Sequence, residues 1–300
     1  LDVADELPDA FIRLLRSRVK TLDPEGVLLG EVWEDCSDKQ GPEGRRGYVN
    51  GDELDSAMNY PFANAVLDFL LERCDAPALA GRLMAQREWY PAPFYRACLN
   101  LLSSHDIVRA ITALSGAPGR DELTRAQQAA YTPAPEQARL GRERFMLATA
   151  IQMFCPGVPC VYYGDEAGVT GMADPFNRRT YPWGGEDRAV QARVAALMRL
   201  RRDLAALRAG RCRMGALSPA VFGVVRYTDG GELALLLVNR GDAPCTVQPA
   251  QELFAEGPDA DAPMPLDGPC TDEEGRACAP LAAAPLTVPP HAALIRIRRA

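Results

Sequence analysis

Apolar positions along this 300-residue chain follow one rhythm up to about residue 209 and another after it. Val27-Leu28-Leu29-Gly30 is a short apolar run without helical periodicity, followed by Glu31, Val32, Trp33 and then polar residues. Such a run predicts a buried strand with Glu31 at its C-terminal end. Before it, Asp5 to Lys20 sets Phe11, Leu14, Leu15 and Val19 at helical spacing, with Arg13, Arg16, Arg18 and Lys20 opposite. After it comes a long loop rich in glycine and charge, from Glu34 to about Glu53, expected to be functional or mobile. The pattern then predicts a strand at Leu54–Tyr60, a helix from Pro61 to about Arg73 and another from Ala76 to Arg87. A second apolar strand, Cys98 to Asp106, also ends in polar residues. Ser115 to Gln137 reads as a mobile Gly/Pro/Gln-rich stretch, and a helix from about Glu143 to Phe154 is broken by Pro156 and Pro159. A short strand at Cys160–Tyr163 and a long helix at about Ala189–Leu207 complete this part.

From about Gly210 the pattern changes period, to short β-rich runs with turn residues between them. Runs at 220–227, 233–239, 245–249, 286–288 and 292–298, with Asp229-Gly230-Gly231 as a turn, predict an antiparallel β-sandwich. The chain therefore divides into an α/β part, residues 1–209, whose parallel strands alternate with helices, and an all-β part, residues 210–300.

Composition narrows the function without naming it. With 47% hydrophobic and 24% charged residues and no long uncharged apolar segment, the chain is expected to be globular and free of membrane spans. A formal charge of −7 argues against nucleic acid, which selects a clustered basic face. Nine cysteines lie scattered without metal-ligand spacing, and only two histidines accompany them. This argues against zinc and for free, structural thiols in a reducing, cytoplasmic setting. The chain starts at Leu1, with no leader-like segment, and Leu1–Ala4 reads as the end of a strand, so a fragment is expected.

Asp2, Glu31 and Asp106 each stand where a predicted strand passes into a loop. Parallel strands gather such ends on one rim, where ligands bind. Clustered acids raise one another's pKa, which lets one carboxyl stay protonated while another stays ionised. Beside the indole of Trp33, that suggests retaining glycoside hydrolysis, with the two main carboxyls ~5 Å apart. Taken singly, Asp2 also reads as a helix N-cap and His105 as a core histidine.

Leu1-Asp2-Val3-Ala4, Gly30-Glu31-Val32-Trp33 and Ser104-His105-Asp106, in that order, resemble three signature regions of the α-amylase family, glycoside hydrolase family 13. Met58–Phe62, Pro156–Gly168 and Asp174–Trp183 resemble the neopullulanase, cyclomaltodextrinase and maltogenic amylase branch. The resemblance implies a partial (β/α)8 TIM barrel, from the end of strand four through strand eight, followed by the C-terminal sandwich. It implies Asp2 as nucleophile, Glu31 as general acid and base, and Asp106 as stabiliser of the distorted sugar. His105, Asp174 and Arg178 would bind sugar, and Trp33 would border the leaving group. Asp165 and Glu166 are assigned to structure beneath the rim, and Tyr181, Trp183 and Arg179 to packing or ion pairing.

The implied substrate is an α-1,4-glucan: maltooligosaccharide, cyclodextrin or pullulan. No organic cofactor is implied; the family allows a structural calcium, but no spaced set of oxygen ligands marks one here. The full-length protein is expected to form a homodimer. Two departures stand out: the arginine two positions before the nucleophile would precede Leu1, and Ser104 replaces the Asn common before the His-Asp pair. With half a barrel absent, the fragment alone is expected to be inactive or nearly so. Alternatives are a non-catalytic interaction subunit, disfavoured by retention of all three carboxylates, and a transglycosylase or other α-glucosidase of the family.

Overall fold

The computed structural model describes residues 1–42, 44–248, 253, 268–281 and 284–300, which gather into two compact units. The first comprises Leu1–Ala65, Arg82–Leu101 and Gly157–Cys160; the second comprises Val66–Gly81, Leu102–Pro156 and Val161–Ala300. In chain order the elements begin with a 3-10 turn at Ala4–Glu6, α1 (Asp9–Leu22), β1 (Leu29–Gly30), β2 (Gln40–Gly41), β3 (Gly44–Arg45), β4 (Ser56–Ala57) and α2 (Tyr60–Leu70). There follow α3 (Ala76–Trp89), α4 (Ala92–Ala97), β5 (Leu99–Leu101), α5 (Ala110–Leu114), α6 (Arg125–Ala130), α7 (Pro135–Phe154) and β6 (Val158–Cys160). α8 (Arg188–Asp203) and α9 (Ala205–Ala209) lead into β7 (Arg211–Ser218), β8 (Val221–Tyr227), β9 (Leu233–Asn239), β10 (Cys245–Val247), β11 (Cys270–Thr271), β12 (Ala277–Cys278), β13 (Leu286–Val288) and β14 (Ala292–Arg298).

In the first unit β1 pairs with β4 and β5 with β6, both in parallel, and a parallel bridge between Met58 and Leu99 links the pairs. The spatial order β1-β4-β5-β6 is thus the chain order. Its core joins Val32, Tyr48, Leu54, Tyr90, Phe94 and Cys98 to Ile12 of α1. Helix α1 starts and ends later than its periodicity suggests, and a different face is inward. Ile12 is fully buried, whereas Phe11 and Leu14 are exposed. Positions 9, 12, 15, 16, 19 and 20 form the covered stripe, so Arg16 and Lys20, expected on the outer face, lie on the inner one, where both pair with Asp55. The loop after Glu31 is pinned rather than loose. Tyr48 donates its hydroxyl proton to Ala4 O (3.1 Å), Arg46 donates to Leu7 O (2.5 Å), and the Cys36 amide donates to the Tyr90 hydroxyl (2.9 Å).

In the second unit α7 packs against α5, α8 and the sheet strands β8 and β9. The sheet has the order β12-β11-β14-β9-β8-β7, antiparallel throughout, and β10 pairs antiparallel with β13. Strands β8 and β9 are buried along their whole length, which explains why they are apolar apart from Arg226 and Asn239. β7, β11 and β12 are strands that the pattern did not predict, and Pro249, the expected end of the 245–249 strand, lies outside the described residues. Arg226 and Arg201 close the C-terminus of α7 by donating to Phe154 O and to Met153 O and Cys155 O. Burial lowers Arg201 to about 10.

Other departures are local. Residues 1–3 turn rather than extend, although the Glu31 amide donates to Leu1 O (2.9 Å) as a neighbouring strand would require. β6 comes two residues early, beginning at Val158. The expected helix over 189–207 is two, divided where Leu204 turns extended and fully buried. The stretch expected to be mobile, 115–137, holds α6, whose start is a capping box: Gln127 N–H donates to Thr124 Oγ1 while the Thr124 amide donates to Gln127 Oε1. No described helix is long and apolar enough to cross a membrane.

Two helical glycines have opposite roles. A Cβ on Gly141 of α7 would lie 2.6 Å from Ile111 O and 3.0 Å from Ser115 Cβ in the α5 contact, whereas one on Gly81 of α3 meets nothing within 4 Å. Gly141→Ala should lower stability by about 1–3 kcal/mol through overpacking. Gly81→Ala should raise it by up to ~1 kcal/mol through helix propensity. Denaturant titration of both variants reads the opposite signs.

Candidate active site

β1 ends at Gly30, where a Cβ would stand 2.5 Å from Leu54 Cδ1, so a larger residue there would have to displace that side chain. The next residue, Glu31, is 7% exposed. Its main chain is held on both sides, the amide donating to Leu1 O and the carbonyl accepting from the Ala4 amide (3.1 Å). Its carboxylate accepts from the Val3 amide at Oε2 (3.3 Å) and from the Tyr60 hydroxyl at Oε1 (3.4 Å). Val3 reaches this position in the left-handed region, φ 47°, a strained conformation for a β-branched residue. Asp2, exposed, brings a carboxylate oxygen within 4.8 Å of one on Glu31. Trp33 is 42% exposed and stacks on Tyr60 with centroids 4.6 Å apart and planes 15° from parallel, leaving its other face open. It is therefore both packed and presented. The first unit thus brings Asp2, Glu31 and Trp33 together.

Tyr60 ends the strand predicted over Leu54–Tyr60 and lies within the Met58–Phe62 motif, but no role was assigned to it from the sequence. That placement was the available signal: Asn59 donates to Asn100 Oδ1 (2.9 Å), Gln86 donates to Asn59 Oδ1 (2.9 Å), and the Phe62 amide donates to the same Asn59 oxygen, fixing the first turn of α2.

The second unit gathers the other four candidates. His105 Nε2 lies 3.2 Å from Asp106 Oδ2, and Arg178 Nη2 lies 3.5 Å from Asp106 Oδ1. Arg178 Nε approaches Asp174 Oδ1 at 2.5 Å. All four side chains remain open to solvent. The arrangement is a guanidinium between two carboxylates with an imidazole alongside, suited to polyhydroxylated ligands because it offers donors and acceptors at fixed spacing.

This group rests on a buried clamp. Arg109, with no exposed surface, donates from Nε to Asn177 O (2.8 Å) and from Nη1 to Asp165 Oδ1 (3.1 Å) and to Tyr163 O. Its guanidinium lies over the rings of Tyr162 and Tyr163. Ser103 donates its hydroxyl proton to the other Asp165 oxygen. Asn177 donates to Ser104 O (3.1 Å) and Ile107 O (2.7 Å), tying the loop that carries Asp174 and Arg178 to the segment that carries His105 and Asp106. Burial raises the Asp165 carboxyl to about 6. Asp165 is structural, as the sequence suggested. Trp183 is not: it is 85% exposed and packs into no core.

A family model described as the α-amylase catalytic domain matches residues 6–203. The chain belongs to the α-amylase family. This α-amylase-family chain is 34% identical over 264 residues to an amylopullulanase of Thermoanaerobacter thermohydrosulfuricus, covering 81% of the chain and 17% of that protein. It is 32% identical over 271 residues to a cyclomaltodextrinase of Geobacillus thermopakistaniensis, covering 89% of the chain and 38% of that protein. Among solved structures it resembles the ligand-free cyclic α-maltosyl-(1→6)-maltose hydrolase of Arthrobacter globiformis, with a TM-score of 0.75, 27% identity, all of the chain and 56% of that chain covered. The same hydrolase has been solved in complex with maltose. The fold is the family's TIM-barrel fold, and the chain spans well under half the length of these curated relatives.

The clamp has two measurable consequences in this family member. Arg109→Met leaves the Asp165 charge buried without its cation and should cost about 3–5 kcal/mol, while the double variant Arg109→Met/Asp165→Leu should regain part of that. Because burial raises Asp165 in the fold above its unfolded value, the folded chain binds this proton more tightly. Its contribution to stability is full below about pH 4 and is lost as pH rises to about 6. Asp165→Asn should flatten that window in urea titrations between pH 4 and 7.

Proposed function

We propose that these residues serve the retaining hydrolysis of α-1,4-glucans, with maltooligosaccharides, cyclodextrins and pullulan as the substrate class. The observation that carries this reading is the approach of the Asp2 and Glu31 carboxylates to within 4.8 Å. Retaining enzymes hold their two carboxyls about 5–5.5 Å apart, leaving no room for the water that inverting enzymes place between acid and base. Glu31 gives its proton to the glycosidic oxygen as the C1–O bond breaks, and an Asp2 oxygen bonds to C1. Water then attacks C1, returning a proton to Glu31 and releasing Asp2. The Val3 amide and the Tyr60 hydroxyl hold Glu31 in the orientation both steps require.

Asp106 stabilises the oxocarbenium-like sugar, His105 binds it, Asp174 and Arg178 hold the next glucose, and Trp33 offers its open face to the leaving-group side. No organic cofactor takes part. In the same reading β1, β4, β5 and β6 are strands five to eight of the (β/α)8 barrel, residues 1–4 are the end of strand four, and residues 210–300 are a separate C-terminal sandwich. The full-length enzyme is cytoplasmic and dimeric, and the 300 residues alone, whose match covers 38% of the cyclomaltodextrinase, turn over little or no substrate.

In the full-length setting, Glu31→Gln should lower kcat on cyclodextrin by about 10²–10⁴-fold. Arg178→Ala should act chiefly through KM. Proton NMR of the first product should show the α-anomer; a β-anomer formed first would contradict retention.

A further inference from the structure

The segment Tyr181–Gly185 displays aromatic surface that the mechanism above does not use. Trp183 is 85% exposed, and its ring leans against Tyr181 with centroids 4.5 Å apart and planes 49° from parallel. An indole left in water forgoes the burial that an aromatic of about 150–250 Å² ordinarily gains. Its backbone is nonetheless fixed. Trp183 N–H donates to Tyr181 O (3.0 Å) and Gly185 N–H donates to Pro182 O (2.8 Å), and Asp187, two residues on, caps α8 through the Ala189 and Val190 amides. The Tyr181 side chain lies against Glu166, Glu186 and Gln191. Arg188 joins the same edge, donating to Gln191 Oε1 (2.9 Å) and pairing with Glu186 (3.0 Å). The platform is therefore built before any ligand arrives, and the ordering cost of binding is small.

We infer that Trp183 and Tyr181 form an auxiliary binding platform for an α-glucan chain, outside the catalytic machinery. A flat apolar face edged by carboxylate, amide and guanidinium groups is the combination that recognises a pyranose, which has an apolar C–H face and a rim of hydroxyls. Two rings set at an angle suit an α-1,4-linked chain, whose successive sugar faces are not coplanar. The platform follows Asp174 and Arg178 in the same loop of the chain. The choice of α-glucan over another sugar rests on the hydrolase reading; the platform itself does not.

The test is affinity electrophoresis of the full-length protein through gels containing amylopectin, alongside kinetics on amylopectin and on a short maltooligosaccharide. Trp183→Ala should weaken retardation by amylopectin about tenfold and raise KM for the polymer, with kcat on the short substrate unchanged. Trp183→Tyr should restore most of the retardation. Because Trp183 packs into no core, unchanged circular dichroism is expected for both. Retardation lost in Trp183→Ala when the protein hydrolyses nothing would support the platform and overturn the hydrolase reading. Hydrolysis with retardation unaltered in Trp183→Ala would overturn the platform alone. A changed oligomeric state in Trp183→Ala with unaltered retardation would likewise overturn it, assigning the indole to contact between copies.

Discussion

Glu31 is a carboxylate taken almost wholly out of water at the end of a strand two residues long, and everything near it exists to make that tolerable. A carboxyl group in such a place needs hydrogen-bond partners, because a polar group taken out of water without one costs ~1–3 kcal/mol. The chain supplies one from the main chain of Val3 and one from Tyr60. The first requires a valine in left-handed conformation, and the second is held by the stack with Trp33. Strain and aromatic packing are the means by which one acid is oriented, and orientation is what acid–base work at a glycosidic oxygen demands.

The same economy governs the second unit by a different device. There the residues facing solvent, His105, Asp106, Asp174 and Arg178, are polar and exposed and hold little stability of their own, since exposed ion pairs contribute ~1 kcal/mol or less. Their spacing is set from below by Arg109, whose donors are divided among a carboxylate and two carbonyls on separate segments. An arginine suits this because its rigid planar fork presents five donors in fixed directions, whereas a lysine is a compact point charge on a flexible stem.

How much of this was legible in the sequence follows from what each signal measures. Glu31 was legible as the residue after a strand because an apolar run that stops at a polar residue marks such an end. The parallel alternation and the strands 233–239, 286–288 and 292–298 were legible for the same reason. The run predicted to extend from Cys98 to Asp106, by contrast, is a strand only over Leu99–Leu101, so His105 and Asp106 lie in the loop beyond it. Trp183 was misread as packing because hydrophobicity measures what a side chain prefers, while exposure is decided by its neighbours. The inward face of α1 was misread because Phe11, Ile12, Leu14 and Leu15 are all apolar, and periodicity alone does not say that Ile12 is buried while Phe11 and Leu14 face solvent. Tyr60 and Arg109 were passed over because their importance lies in contacts made across the fold. The capping box at Thr124 was present in the sequence and was masked by a loop-like composition.

The account rests on Asp2 attacking the anomeric carbon while Glu31 handles the proton. The most direct measurement is mass spectrometry of the full-length Glu31→Gln variant treated with an α-maltosyl fluoride, whose fluoride leaves without a proton donor while the missing base slows release. The account predicts a glycosyl adduct on the peptide containing Asp2. An adduct on any other residue, or turnover of the fluoride to a β-anomeric product without an adduct, would contradict it.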